Sequence, residues 1–179
     1  MKNIYLLVGP SGSGKSSVAQ ELERRYGLKE VVSYTERPRR YLGEKGHIFV
    51  APKEFDSLGP MCAFTVYNGY RYGVPRSCVN ECDTYVIDPA GVRYLKEHYA
   101  GAKGIVTIGI WVPERTRIQR MVNRGDTEGK IFSRIACDAK EFRDFETLCD
   151  TVLVNSSLDA TVENAYRFIT ERESQKPHF

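Results

Sequence analysis

Gly9-Pro10-Ser11-Gly12-Ser13-Gly14-Lys15-Ser16 satisfies the pattern G-x-x-x-x-G-K-[ST] at every fixed position. That pattern binds phosphate. Its glycines let the backbone turn so that successive N–H groups face an anion. The helix that must follow adds a partial positive charge at its N-terminus. Lys15 is expected to reach the β- and γ-phosphates of a nucleotide, and the Ser16 hydroxyl to ligate Mg²⁺ directly. The expected nucleotide-binding residues are therefore Gly9, Ser11, Gly12, Ser13, Gly14, Lys15, Ser16 and Ser17.

A second cationic segment, Tyr34-Thr35-Glu36-Arg37-Pro38-Arg39-Arg40, sets three arginines around one proline. The planar fork of arginine suits bidentate phosphate contacts, so a second anion beside the first is one reading. A solvated basic loop is the other. Further on, Arg120 and Arg124 are four apart and share a helical face, and Arg134 follows on the next helix. Phosphoryl transfer needs charge stabilisation on the moving group more than it needs a base. Arginines brought over both phosphates would supply it; solvated helix arginines are the alternative. Asp88 ends the apolar run Val86-Ile87. The carboxyl end of a strand is where ligands bind in open α/β sheets, and Asp88 there can organise Mg²⁺-bound water or touch an acceptor. Asp88-Pro89 also fits a helix N-cap, and the two roles are compatible.

These groups need a scaffold. Apolar strands are expected at 3–8, 30–33, 47–50, 62–67, 84–88, 104–111 and 151–154. Amphipathic helices are expected at 15–26, 52–58, 75–82, 90–98, 114–123, 129–143 and 158–173. The alternation predicts an α/β fold with a parallel sheet flanked by helices. The Tyr-, Gly- and Arg-rich stretch 34–73 breaks that rhythm, and its short strands look antiparallel. It reads as a small mixed insertion carrying a binding site over the sheet edge.

These motifs together resemble the guanylate kinase family, and the likeness runs from the phosphate loop to the last helix. The family carries V-S-x-T-T-R-x-P-R where Ser33, Thr35, Arg37 and Arg40 stand here, with Pro38 one place early and Glu36 in place of a threonine. The resemblance implies that Ser33 helps read a base and that Arg37 and Arg40 hold the acceptor's phosphate. Gly43-Glu44-Lys45-Gly46-His47 looks like a shortened G-E-x-x-G-x-x-Y segment, which puts His47 where a phosphate-binding tyrosine is expected. Imidazole can still donate to phosphate; a half-exposed strand residue is the plainer reading. Tyr67-Asn68-Gly69-Tyr70-Arg71-Tyr72-Gly73 is similar to G-N-x-Y-G and assigns Tyr72 to the acceptor phosphate, although alternating aromatics also pack the face of a hairpin. Asp88 keeps the second acid of the family's D-I-D.

Arg120, Arg124 and Arg134 fall on the family's lid, one residue shorter here, and Asn155 on the V-N-D segment beside adenine. The resemblance implies Lys15, Arg120, Arg124 and Arg134 as catalytic groups, ATP and Mg²⁺ as cofactors, and GMP or dGMP as acceptor. It implies a P-loop NTPase-type core at 1–33 and 84–179, an acceptor-binding insertion at about 34–83 and a lid at about 120–134, all within 1–179. The family reads guanine with an acid before the Y-G pair and a hydroxyl after it; those positions hold Ala63 and Val74. Glu36, Glu44, Glu54 and Asp56 are the acids available nearby. Tyr72-Gly73-Val74 also resembles the ribose 1,5-bisphosphate phosphokinases, which need no base reader. Peptide-binding guanylate-kinase-like modules are the non-enzymatic alternative, but they usually lack the intact phosphate loop retained here.

At 179 residues the chain can build one domain with a substantial core. A net charge of +3 is too mild to argue for nucleic acid, and no dedicated motif for it is present. No apolar run approaches membrane-span length. The N-terminus enters a strand directly, so no signal peptide and a cytoplasmic location are expected, with a monomer or homodimer as the assembly. The five cysteines are odd in number and lack C-x-x-C spacing, which predicts reduced thiols and neither zinc nor a disulfide framework.

Overall fold

The structure, a computed structural model, describes residues 1–39, 42–44, 46–67 and 69–175. The chain begins with β1 (Asn3–Val8), α1 (Lys15–Tyr26), β2 (Ser33–Thr35), β3 (His47–Phe49) and α2 (Pro52–Asp56). It continues through β4 (Met61–Tyr67), β5 (Tyr70–Pro75), α3 (Arg76–Asn80), β6 (Thr84–Val86) and α4 (Pro89–His98). β7 (Gly104–Trp111), α5 (Glu114–Asn123), α6 (Glu128–Glu141), a 3₁₀ turn at Phe145–Leu148, β8 (Thr151–Val154) and α7 (Leu158–Ser174) complete it.

β1 reads Asn-Ile-Tyr-Leu-Leu-Val because both of its faces are covered. It lies inside a four-stranded parallel sheet of order β6-β1-β7-β8. Tyr5 and Leu7 pack against Val18 and Leu22 of α1 and Val162 and Ile169 of α7. Ile4, Leu6 and Val8 face the other way, onto Val92 and Leu95 of α4 and Phe145 of the 3₁₀ turn. Glu173 fastens the end of α7 to β1, accepting from Asn3 Nδ2 at 2.7 Å and from the Tyr5 hydroxyl at 2.8 Å. The expected parallel sheet with flanking helices is present.

The second sheet has order β3-β2-β5-β4. The expectation of antiparallel strands holds for β2 with β5 and for β4 with β5, but β2 and β3 run parallel. Strands paired in parallel are not joined by a tight hairpin. The strand expected at 30–33 is also displaced. Glu30 makes only an isolated bridge to Thr84, and the ladder begins at Ser33, where the chain has left the first sheet for the second. β5 was absent from the expected strands because Gly73 and Pro75 lie within it. This is an α/β phosphate-loop fold: a parallel four-stranded sheet with helices, and a separate mixed sheet.

Candidate active site

The phosphate loop connects the carboxyl end of β1 to α1, and neighbouring backbone shapes it. A side chain at Gly9 would collide with the carbonyl of Ile110 in β7. Gly14 has φ +99°, a conformation L-residues avoid, and a Cβ there would meet the Asn155 amide. The Ser13 carbonyl is held from two sides, by Arg120 Nη1 at 3.0 Å and by Asn155 Nδ2 at 2.7 Å. Arg120 also donates to the Asn155 carbonyl at 2.7 Å, and the Asn155 Oδ1 accepts from Thr161 at 3.1 Å. Both residues therefore brace the loop from behind. Ser13 is fully buried and its hydroxyl has no partner among the described residues.

Lys15 opens α1 and turns its ammonium inward, donating to the Pro10 carbonyl at 3.1 Å. Burial of the ammonium pushes its pKa down to about 8, against the opposing pull of the Asp138 and Asp88 carboxylates; Arg117 and Arg134 push the same way as burial. Ser16 and Ser17 are exposed in the first turn of α1. With Gly12, Gly14, Lys15, Arg120, Arg124 and Arg134 they line a cavity of about 430 Å³. Glycine turns, a helix N-terminus and cations make this a cleft for a polyphosphate.

A second cavity, of about 200 Å³, lies between the two sheets. Lys15 and Asp88 wall it on the core side, with Ser33, His47, Thr65 and Tyr72 opposite and Arg134, Asp138 and Glu141 from α6. Ser33 and His47 Nδ1 are hydrogen-bonded at 2.8 Å, as cross-strand neighbours on β2 and β3. The His47 ring meets Tyr72 edge-on, with centroids 5.3 Å apart. Asp88 is indeed the N-cap of α4, its Oδ1 accepting from Gly91 N at 2.6 Å, while the same residue lines this cavity. A third cavity, of about 400 Å³, separates Arg37, Arg39, Tyr67, Tyr70 and Tyr72 from Lys130, Ser133 and Arg134. Of Arg120, Arg124 and Arg134, only Arg134 borders all three spaces.

Arg37 is buried and pairs with Glu44, Nη2 to Oε1 at 2.8 Å, with its guanidinium 5.1 Å from the Phe49 ring centre. Arg40 lies outside the described residues. Arg124 pairs with Asp126, which Arg134 also approaches at 3.9 Å. The acids proposed from sequence as substitutes for the missing base reader are placed elsewhere. Glu36 and Asp56 each hold Arg71 at 2.6 Å, Glu44 holds Arg37, and Glu54 is exposed on α2. Ala63 and Val74 face each other across β4 and β5 and are sealed in the core, 1% and 0% exposed. The acids that do line the central cavity are Asp88, Asp138 and Glu141.

Sequence reasoning missed Asp138 and Arg117. Asp138 accepts from the Ser11 N–H and from Arg117 Nη1, both at 2.9 Å. The available signal was spacing: Asp138 follows Ile131 by two helical turns and shares its buried face. All five cysteines are free thiols. Among the described residues no His, Cys, Asp and Glu cluster could hold a metal by itself, and no helix is long and apolar enough to cross a membrane.

Residues 6–146 match the family described as AAA domain. The chain is 33% identical to a guanylate kinase of Streptomyces kasugaensis over 170 residues, 87% of this chain and 81% of that protein. It is 29% identical to a guanylate kinase of Polaromonas sp. over 177 residues, 89% and 82% of the two chains. It is 28% identical over 188 residues to a ribose 1,5-bisphosphate phosphokinase of Thiobacillus denitrificans, covering 98% and 97%. In fold it is similar to the crystal structure of guanylate kinase from Anaplasma phagocytophilum, with a TM-score of 0.70 at 24% identity over 97% of this chain and 87% of that one.

Proposed function

Since the chain belongs to the guanylate kinase family, on a phosphate-loop core that also matches the AAA domain, we propose that it transfers the terminal phosphoryl group of ATP to a small acceptor that already carries a phosphate. GMP or dGMP is the first expected acceptor. The observation that carries this reading is Arg134, which with Lys15 borders both the phosphate cleft and the central cavity, and which also borders the third cavity beside the second sheet. A phosphoryl group in flight between two bound phosphates would pass beside it.

In this reading the loop N–H groups and Lys15 hold the donor, and Arg120 and Asn155 keep the loop in shape from behind. Ser33, Arg37, Arg40, His47 and Tyr72 hold the acceptor, with Asp88 at the core wall. The exposed Ser16 hydroxyl in the first turn of α1 fits a direct Mg²⁺ ligand, and Asp88 a ligand through water. The ion would supply charge that neutralises the donor's phosphates. An acceptor phosphate oxygen is already anionic at neutral pH, so in-line attack needs no strong base. Arg124 and Arg134 would leave Asp126 for the developing charge, and the closed lid would keep water from competing as acceptor.

A second reading is favoured by Ala63 and Val74. Their burial in the apolar core supports an acceptor recognised without a guanine reader. Hydrogen-bonding specificity for a base is lost when its partner group is missing. Asp88 and Glu141 can instead accept from sugar hydroxyls, which suits ribose 1,5-bisphosphate. Coupled ADP release with Mg-ATP, measured against GMP, dGMP, AMP, CMP, UMP, dTMP and ribose 1,5-bisphosphate, separates the readings. GMP or dGMP turnover supports the first, and turnover of the sugar phosphate alone supports the second. Silence across the panel, with nucleotide still bound, favours a binding module.

A further inference from the structure

Asp138 places a carboxylate on an anion-binding loop, where it would repel any incoming phosphate. The arrangement nevertheless holds it firmly. Its Oδ2 accepts from Ser11 N and Arg117 Nη1, both at 2.9 Å, and its Oδ1 accepts from Ser11 Oγ at 3.2 Å. Arg117 also reaches the Ser11 carbonyl at 3.4 Å. Asp138 is 5% exposed and Arg117 8% exposed, so water does not weaken the pair. One loop residue is thus gripped at its N–H, hydroxyl and carbonyl by side chains from α6 and α5, the helices that carry Arg134 and Arg120. Asp138 and Arg134 are four apart, so they project from one face of α6.

We propose that Asp138 is a positioning residue: it seats α6 on Ser11 of the phosphate loop and so aims Arg134 at the transferred phosphoryl group. The role rests on the phosphotransferase reading above. It explains an acid in a place where phosphate binding by itself calls for cations. The carboxylate fixes the carboxyl half of α6 to the loop, and the lid then moves only ahead of that anchor.

The test needs no acceptor. Calorimetry on the full chain gives affinities for Mg-ADP and for the magnesium complex of the β,γ-imido analogue of ATP. The ratio of the two reports contacts to the γ-phosphate. Arg134→Ala should lower that ratio by about tenfold, as loss of a hydrogen bond to a charged group does. Asp138→Asn keeps the shape but removes the charge; it should lower the ratio several-fold while Mg-ADP affinity stays unchanged or rises. Asp138→Asn combined with Arg134→Ala should be no worse than Arg134→Ala alone. Additive losses in the double variant overturn the proposal, as does an equal fall in both affinities, because a merely structural acid would give either. If Asp138→Asn fails to fold, Arg117→Met with Asp138→Leu replaces the buried pair by apolar side chains and must lower the same ratio. A wild-type chain that binds neither nucleotide refutes the phosphotransferase reading itself, an outcome distinct from a failed cycle.

Discussion

Replacing Lys15 by Met should abolish a proton uptake that accompanies nucleotide binding in the wild-type chain. The Lys15 ammonium touches the Pro10 carbonyl, and burial holds its pKa at about 8, against an ordinary 10.5. Keeping that proton in the folded chain is harder than in water by roughly 3 kcal/mol. A bound polyphosphate reverses the balance by placing several negative charges beside the ammonium. At pH 8, about half of the free molecules lack the proton, so Mg-ADP should take up about 0.5 proton as it binds. At pH 6 nearly every free molecule holds it, and the uptake should vanish. Calorimetric titrations in Tris and in tricine, whose ionisation enthalpies differ, give the proton number directly. Absence of uptake at pH 8 in the wild type, or equal uptake in Lys15→Met, would refute the reasoning. Stability carries the same signature. Between pH 8 and 10.5 the unfolded chain holds this proton and the folded chain does not, so this group's contribution to stability rises with pH across that window.

Arg134→Ala should reduce kcat by about 10³ or more, the scale of an arginine acting on a transferring phosphoryl group, with Mg-ADP affinity nearly unchanged; an equal loss in both would place Arg134 on the donor's ground state. Glu30 is held protonated by burial, its pKa raised to about 7 from 4.5. The unfolded chain loses that proton first, so stability from this group is full below pH 4.5 and falls as pH rises toward 7. Glu30→Gln should therefore raise Tm by a few degrees at pH 8 and by nothing near pH 4, and a pH-independent difference would contradict the assignment. Glu44→Gln removes the charge opposite buried Arg37 and should cost about 3 kcal/mol in urea unfolding; an unchanged midpoint would mean that the pair contributes little.

The phosphate loop was legible because its chemistry lies in consecutive residues. The parallel sheet was legible because strands covered on both faces must be apolar along their length, as β1 and β7 are. Arg120 and Asn155 stood out by residue type, but their acceptors are backbone carbonyls, which carry no sequence signal. Arg117 and Asp138 read as ordinary helix charges. Their partnership joins two helices and a loop residue more than 100 positions away, and no periodicity encodes such a meeting. The parallel pairing of β2 and β3 escaped for a similar reason: each strand has three residues, too few for alternation to reveal direction.

The place of β1 inside its sheet governs how the chain must be made. Asn3–Val8 leaves the ribosome well before its partners, Thr84–Val86 and Gly104–Gly109. At about 5–20 residues per second, roughly 5–20 s of synthesis separate β1 from β7. Until β6 emerges one of the most apolar segments of the protein has no ladder to join, and until β7 follows it has a partner on one edge alone. The second sheet is different, since β4 and β5 close on each other across a short turn. The second sheet can therefore take shape while the phosphate loop still lacks the strand that fixes its first glycine. A nascent chain halted before β7 would present an exposed Ile-Tyr-Leu-Leu-Val segment to chaperones, and nucleotide could not rescue it.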